Sequence, residues 1–147
     1  MPASHTVIRE TLLDHARKAR RHAYAPYSGY SVGAAVWCED GRIFTGANVE
    51  NASYGLTVCA ERVAVFRAVS EGARRIAAVA VVTHDGGTPC GACRQVLAEF
   101  GGEHTLIWCA AEENGDVEEY LLGDLLPRAF YLPERQAGED ELILGGM

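Results

Sequence analysis

The sequence has 147 residues, 48% of them hydrophobic, with 13 Lys and Arg against 20 Asp and Glu and a formal net charge of −7. That balance fits a single domain over 1–147 with a core of its own and argues against a protein that grips a nucleic-acid backbone, which needs a basic face. No apolar run can span a bilayer, no basic-then-apolar leader opens the chain, and five cysteines suit a reducing, cytoplasmic setting better than a disulfide framework.

Val7, Ile8, Leu12, Leu13, Ala16 and Ala19 recur near helical spacing and predict a helix over 6–23. Ser4 or Thr6 would cap it, and Pro26 with Ser28-Gly29 would stop it. Its cluster Arg17-Lys18-Ala19-Arg20-Arg21 reads as a solvated face. Val32 to Trp37 and Ile43 to Val49 read as strands joined by a turn at Glu39-Asp40-Gly41, where Asp-Gly is a hairpin signal. Asn48-Val49-Glu50-Asn51 follows at the strand end, a usual place for binding groups. A second helix is expected from near Cys59 to about Ser70, with Val63, Phe66 and Val69 along one side and Gly72 closing it.

Ile76 to Val82 is unbroken apolar sequence and predicts a central strand buried on both faces. A loop over 83–89 leads to a third helix, Gly91 to Phe100, and Thr105 to Ala110 reads as a strand. Asn114-Gly115 predicts a hairpin into an antiparallel strand, Val117 to Leu121. Leu125-Leu126-Pro127 begins a segment that carries Phe130, ahead of an acidic tail over 134–147. The order helix, hairpin, helix, strand, helix, strand, strand predicts an α/β protein, a three-layer α/β/α sandwich around a mixed sheet.

Two stretches carry chemistry: Thr57-Val58-Cys59-Ala60-Glu61-Arg62 and Pro89-Cys90-Gly91-Ala92-Cys93-Arg94-Gln95. Cys90 and Cys93 have the C-x-x-C spacing that lets two sulfurs reach one metal, and Cys59 supplies a third. Three protein ligands leave the fourth tetrahedral position of Zn²⁺ open, as in catalytic sites. Helix N-termini favour thiolate over thiol. Arg62, three residues past Cys59, lies on the same side of the helix and can donate to the sulfurs, offsetting the charge of three thiolates. Glu61 beside the open position would move protons for a water made nucleophilic by the metal. C-x-E followed by P-C-x-x-C is the zinc deaminase pattern, here with Cys in the first ligand place.

Other readings compete. A redox pair would use Cys90 and Cys93 but has no need of Cys59 or Glu61. A closed structural zinc needs a fourth ligand from Cys38, Cys109 or His84, of which the two cysteines read as core thiols and His84 as exposed. A zinc-stabilised binding module would use the same thiolates without Glu61.

Tyr24-Ala25-Pro26-Tyr27-Ser28, Val32-Gly33-Ala34-Ala35, Asn48 to Asn51, Ser53 to Thr57, Cys59 to Arg62 and Pro89 to Gln95 together resemble the small zinc-dependent cytidine deaminases, over about residues 6–132. The resemblance implies hydrolytic deamination of cytidine and 2′-deoxycytidine by a homotetramer with one zinc per subunit. It implies zinc on Cys59, Cys90 and Cys93, proton transfer by Glu61, and ribose contacts from Asn48 and Glu50. It also implies a backbone donor at Ala60 toward the base carbonyl, Phe130 reaching a neighbouring subunit's pocket, and Tyr54 near the subunit contact. Many relatives have Phe where Tyr30 stands against the pyrimidine, and a phenol there needs a hydrogen-bond partner when buried. That leaves a modified cytosine nucleoside as an alternative substrate. Blasticidin S deaminase, which shares the ligand motifs, is the nearest other enzyme, and Glu50 argues against it.

Overall fold

The apolar run at Ile76 becomes β3 (Ile76–Thr83), the middle strand of a five-stranded sheet. The computed structural model describes residues 2–112 and 115–133. Around β3 the chain runs α1 (Pro2–Arg20), β1 (Gly33–Cys38), β2 (Ile43–Ala47), α2 (Ala60–Ser70), α3 (Gly91–Phe100), β4 (Leu106–Ala111), β5 (Val117–Leu121) and α4 (Leu122–Leu125), with a 3₁₀ turn at Tyr54–Leu56. The strand order is β2-β1-β3-β4-β5. β3 and β4 are parallel, joined through α3 as a crossover requires, and every other neighbouring pair is antiparallel.

Successive residues of β3 face opposite layers, so both must be apolar. Ala78, Ala80 and Val82 pack with Leu12, Leu13 and Ala16 of α1 on one face. Val79 and Val81 pack with Ala60, Ala64, Val65 and Ala68 of α2 and Leu97 of α3 on the other. This is the expected three-layer α/β/α sandwich. Two strand glycines let the helices close in. A β-carbon on Gly33 would lie 2.0 Å from the carbonyl oxygen of Ala16, and one on Gly46 would lie 2.5 Å from the backbone of Ala60 and Ala64.

The structure departs from expectation at some edges. Thr6 lies inside α1, which starts at Pro2 and stops at Arg20, so Thr6 is no cap. The stop comes early because Tyr24 is drawn into a bridge with Val49, its N–H donating to the Asn48 carbonyl at 2.9 Å. The buried stripe of α2 is Ala60, Glu61, Ala64, Val65 and Ala68, whereas Phe66 is 47% exposed. The β1–β2 turn forms as expected, with Gly41 at φ 94° and its N–H on the Cys38 carbonyl. β4 and β5 are antiparallel as expected, while Asn114 of the anticipated turn and the tail over 134–147 lie outside the described residues.

Candidate active site

Cys59 and Cys90 occupy equivalent places, the N-cap residues of α2 and α3, each with extended backbone and no capping bond from its sulfur to the helix backbone. The sulfurs are therefore free to turn toward each other. Cys93, one helical turn on, is buried. The Sγ atoms of Cys59 and Cys90 are 3.8 Å apart, those of Cys90 and Cys93 3.5 Å, and all three lie within 4.8 Å of one another. Zn–S bonds of about 2.3 Å in tetrahedral geometry put sulfurs about 3.8 Å apart, so this set fits zinc.

No fourth His, Cys, Asp or Glu joins the group among the described residues. Cys38 and Cys109 are buried strand thiols, and burial pushes Cys109 up to about 12. His84 is exposed. Cys59 is held down at about 5, first by its hydrogen bond with Cys93 and then by Arg62, whose Nη2 lies 3.5 Å from the sulfur. Cys93 is pushed up by that same bond and by burial. The Nε of Arg62 is buried with no partner.

Glu61 is the second residue of α2 and 4% exposed, and burial raises its carboxyl to about 7. Ala60, just before it, is in the first helical position, where a backbone N–H has no intrahelical acceptor. Glu61, Cys59 and Cys90 line a cavity of about 280 Å³. Ser28, Asn48 and Glu50 line it as well, and Tyr30, Thr83, Gly87 and Thr88 make a further wall.

The polar residues of that cavity are fixed before any ligand arrives. Oδ1 of Asn48 accepts the Val32 N–H and its Nδ2 donates to the Tyr30 carbonyl, both at 2.9 Å. An amide has two donors and two acceptor lone pairs, so one of each remains for a ligand. Oε1 of Glu50 accepts the N–H groups of Tyr27 and Ser28 at 2.9 and 3.1 Å, and Oε2 accepts the Ser28 hydroxyl. The Ser28 hydroxyl bond, then the two N–H bonds, hold Glu50 below the ordinary carboxylate range. Tyr30 donates its phenol hydrogen to Oδ1 of Asp85 at 2.7 Å, so it offers no free donor to a ligand.

The profile of the cytidine and deoxycytidylate deaminase zinc-binding region matches residues 7–109. The chain belongs to this deaminase family. A cytidine deaminase of Halalkalibacterium halodurans is 50% identical over 124 residues, which cover 83% of this deaminase and 93% of the relative. A crystal structure of cytidine deaminase from Burkholderia pseudomallei superposes with a TM-score of 0.78 at 50% identity, over 82% of this deaminase and 98% of that chain. One from Mycobacterium tuberculosis gives 0.73 at 47% identity, over 84% and 97%.

Two of the expected site residues stand apart from the deaminase's cavity. Tyr54 sits in the 3₁₀ turn, 67% exposed, and Phe130 is 68% exposed with its carbonyl accepting from Gln95 Nε2 at 2.8 Å; neither lines the cavity. A more open apolar concavity of about 400 Å³ lies beside α2, lined in part by Val49, Val58, Val63 and Phe66, and holds none of the candidate residues. Sequence reasoning missed Thr83, Asp85, Gly87 and Thr88. Their only local signal was the density of Thr, Asp and Gly in the loop before Pro89.

Proposed function

We propose that the protein is a zinc-dependent hydrolase converting cytidine and 2′-deoxycytidine to uridine and 2′-deoxyuridine with release of ammonia, a step of pyrimidine salvage. One observation carries this reading. Glu61, buried and with its carboxyl raised to about 7, shares a cavity with the three-sulfur set and with the polar pair Asn48 and Glu50. A group that must accept and then donate a proton near neutral pH works best with a value in that range.

Zn²⁺ held by Cys59, Cys90 and Cys93 supplies the Lewis acidity that makes water nucleophilic at neutral pH. Glu61 takes a proton from the attacking water and delivers it to the ring nitrogen, so that the water oxygen bonds to C4 of the base. Glu61 then passes the second proton to the exocyclic nitrogen as the C–N bond breaks and ammonia leaves. The Ala60 N–H holds the base carbonyl, and Asn48 and Glu50 take the sugar hydroxyls with the donor and acceptor capacity their internal bonds leave over. Tyr30 supplies an aromatic wall, and Arg62 draws charge from the Cys59 sulfur.

A zinc-stabilised binding module would gain nothing from burying a carboxylate beside the metal set, a costly arrangement in a purely structural site. The single five-stranded sheet supports one deaminase domain across the chain. No helix among the described residues is long and apolar enough to cross a membrane, and free thiols at all five cysteines support a reducing, cytoplasmic setting. Exposed Val49, Tyr54, Leu56 and Phe66 support a homotetramer in which Phe130 enters a neighbour's pocket.

The test is ammonia release by zinc-loaded protein offered cytidine, 2′-deoxycytidine, cytosine, cytidine monophosphate and blasticidin S. Turnover of the two nucleosides is expected, with kcat for Glu61→Gln lower by at least ~10²-fold and zinc content unchanged. Silence on both nucleosides with zinc bound overturns the reading.

A further inference from the structure

We infer that Tyr30, Asp85 and Thr83 form a clasp that spaces the sugar-side wall of the pocket from the loop bearing Cys90, making Tyr30 and Asp85 positioning residues for nucleoside binding. The role in binding rests on the deaminase reading above; the clasp itself rests on geometry alone.

The loop between β3 and α3 is wound around two side-chain oxygens. Thr83, the last residue of β3 and 3% exposed, accepts the N–H groups of Gly86 and Gly87 on its Oγ1 at 2.7 and 3.0 Å. Its hydroxyl donates to Oδ1 of Asp85 at 3.3 Å, and the same oxygen accepts the Gly87 N–H at 3.3 Å. Asp85 is thereby held where it accepts the Tyr30 phenol from 55 residues away in sequence. That bond is the main reason the Asp85 carboxyl sits below its ordinary range. Gly87 makes room for it, because a β-carbon there would lie 3.2 Å from the phenol oxygen. At its far end the loop is tied by Arg94, which donates to the Pro89 carbonyl at 2.7 Å and to Thr88 Oγ1 at 3.0 Å.

On the other side, Tyr30 belongs to the sugar-side set through its backbone. Its N–H donates to Ser28 Oγ at 3.0 Å, and its carbonyl accepts from Asn48 Nδ2 at 2.9 Å. Ser28 in turn holds Glu50. The phenol–carboxylate bond thus joins the residues proposed to grip the sugar to the loop that delivers Cys90. Removing one oxygen unlinks them and leaves Glu61, the sulfurs and Arg94 untouched. A loss confined to spacing weakens ground-state binding, so KM rises while kcat holds.

Tyr30→Phe, Asp85→Ala and the double variant, each zinc-loaded, are compared with wild type in cytidine kinetics. Hydrogen–deuterium exchange of the 83–89 peptide without substrate is measured beside them. Expected are a KM raised about three- to tenfold in Tyr30→Phe with kcat within twofold, faster exchange in the loop, and unchanged zinc content. In the Asp85→Ala background the phenol has lost its carboxylate partner and keeps only the Thr83 hydroxyl, so adding Tyr30→Phe has a smaller effect than it has in wild type. Unchanged exchange and KM, or effects that simply multiply in the double variant, overturn the clasp. So does a fall in kcat that follows a fall in Tm, the mark of general destabilisation. If wild type turns over no nucleoside but loop exchange still quickens in Tyr30→Phe, the clasp stands and the substrate reading fails.

Discussion

At the scale of single residues, Glu50 is the carboxylate whose surroundings fix its charge. It is 7% exposed, yet two N–H groups and the Ser28 hydroxyl converge on it, and those bonds outweigh the cost of burial. Its folded value lies below the ordinary 4.5, so folding favours the charged form. That contribution to stability is fully present above the unfolded value and is lost as pH falls through the lowered folded value. Glu50→Gln is therefore less stable than wild type at pH 7, and the gap narrows below about 4.5. Urea titrations of both proteins at neutral and acid pH measure it. Both lose zinc on acidification alike, because thiolates protonate, so the difference between them isolates Glu50. A gap constant across that range means that the bonds seen here do not favour the ionised form.

At the scale of elements, the helix that carries Cys59 and Glu61 is seated by a residue with no side chain. Gly46 of β2 meets the backbone of Ala60 and Ala64, and a methyl group there would lie 2.5 Å from both. Backbone cannot step aside as a flexible side chain can, so Gly46→Ala must lift α2 from the sheet. Overpacking of this kind costs about 1–3 kcal/mol, with a drop in Tm of ~2–4 °C per kcal/mol for a domain of this size. Because the lifted turn holds Cys59, zinc should also leave faster to a chelator. Thermal melts and zinc release followed with a chromogenic chelator check both, and an unchanged Tm with unchanged release would mean the contact is absent.

The same elements divide into those that local sequence declares and those it does not. α2 and α3 begin where expected because their N-cap residues are the cysteines themselves, so motif and boundary coincide. β3 was legible because only a strand covered on both faces tolerates so unbroken an apolar run. The end of α1 was not, because Tyr24 leaves the helix for a bridge to Val49, a pairing that no local window contains. The outward turn of Phe66 was hidden too: α2 has apolar residues on more than one side, and periodicity does not say which side meets the sheet. The sulfurs, Glu61 and Arg62 could be read from two short motifs. Thr83, Gly87 and the Asp85 behind them could not, since what ties them to the pocket is Tyr30, which arrives from another part of the fold.

At the scale of the whole molecule, the question is whether one chain makes a complete site. Phe130 is 68% exposed and lines no part of its own chain's cavity. Beside α2 lies an apolar concavity with Val49 and Phe66 about half exposed, a surface suited to burial against another copy. If Phe130 completes a neighbour's pocket, two crippled chains should repair each other. Phe130→Ala keeps Glu61 but lacks the ring, and Glu61→Gln keeps the ring but lacks the proposed proton carrier. In randomly mixed copies of the proposed tetramer at equal proportions, about a quarter of the sites would combine an intact Glu61 with a neighbour's Phe130. Co-expressed and purified through two different tags, the mixture should show a component with wild-type KM that neither parent has. Mixing the separately purified tetramers without subunit exchange should not produce it. Activity equal to the average of the two parents would mean that Phe130 serves its own chain or none, since only a residue crossing the subunit boundary can be lent.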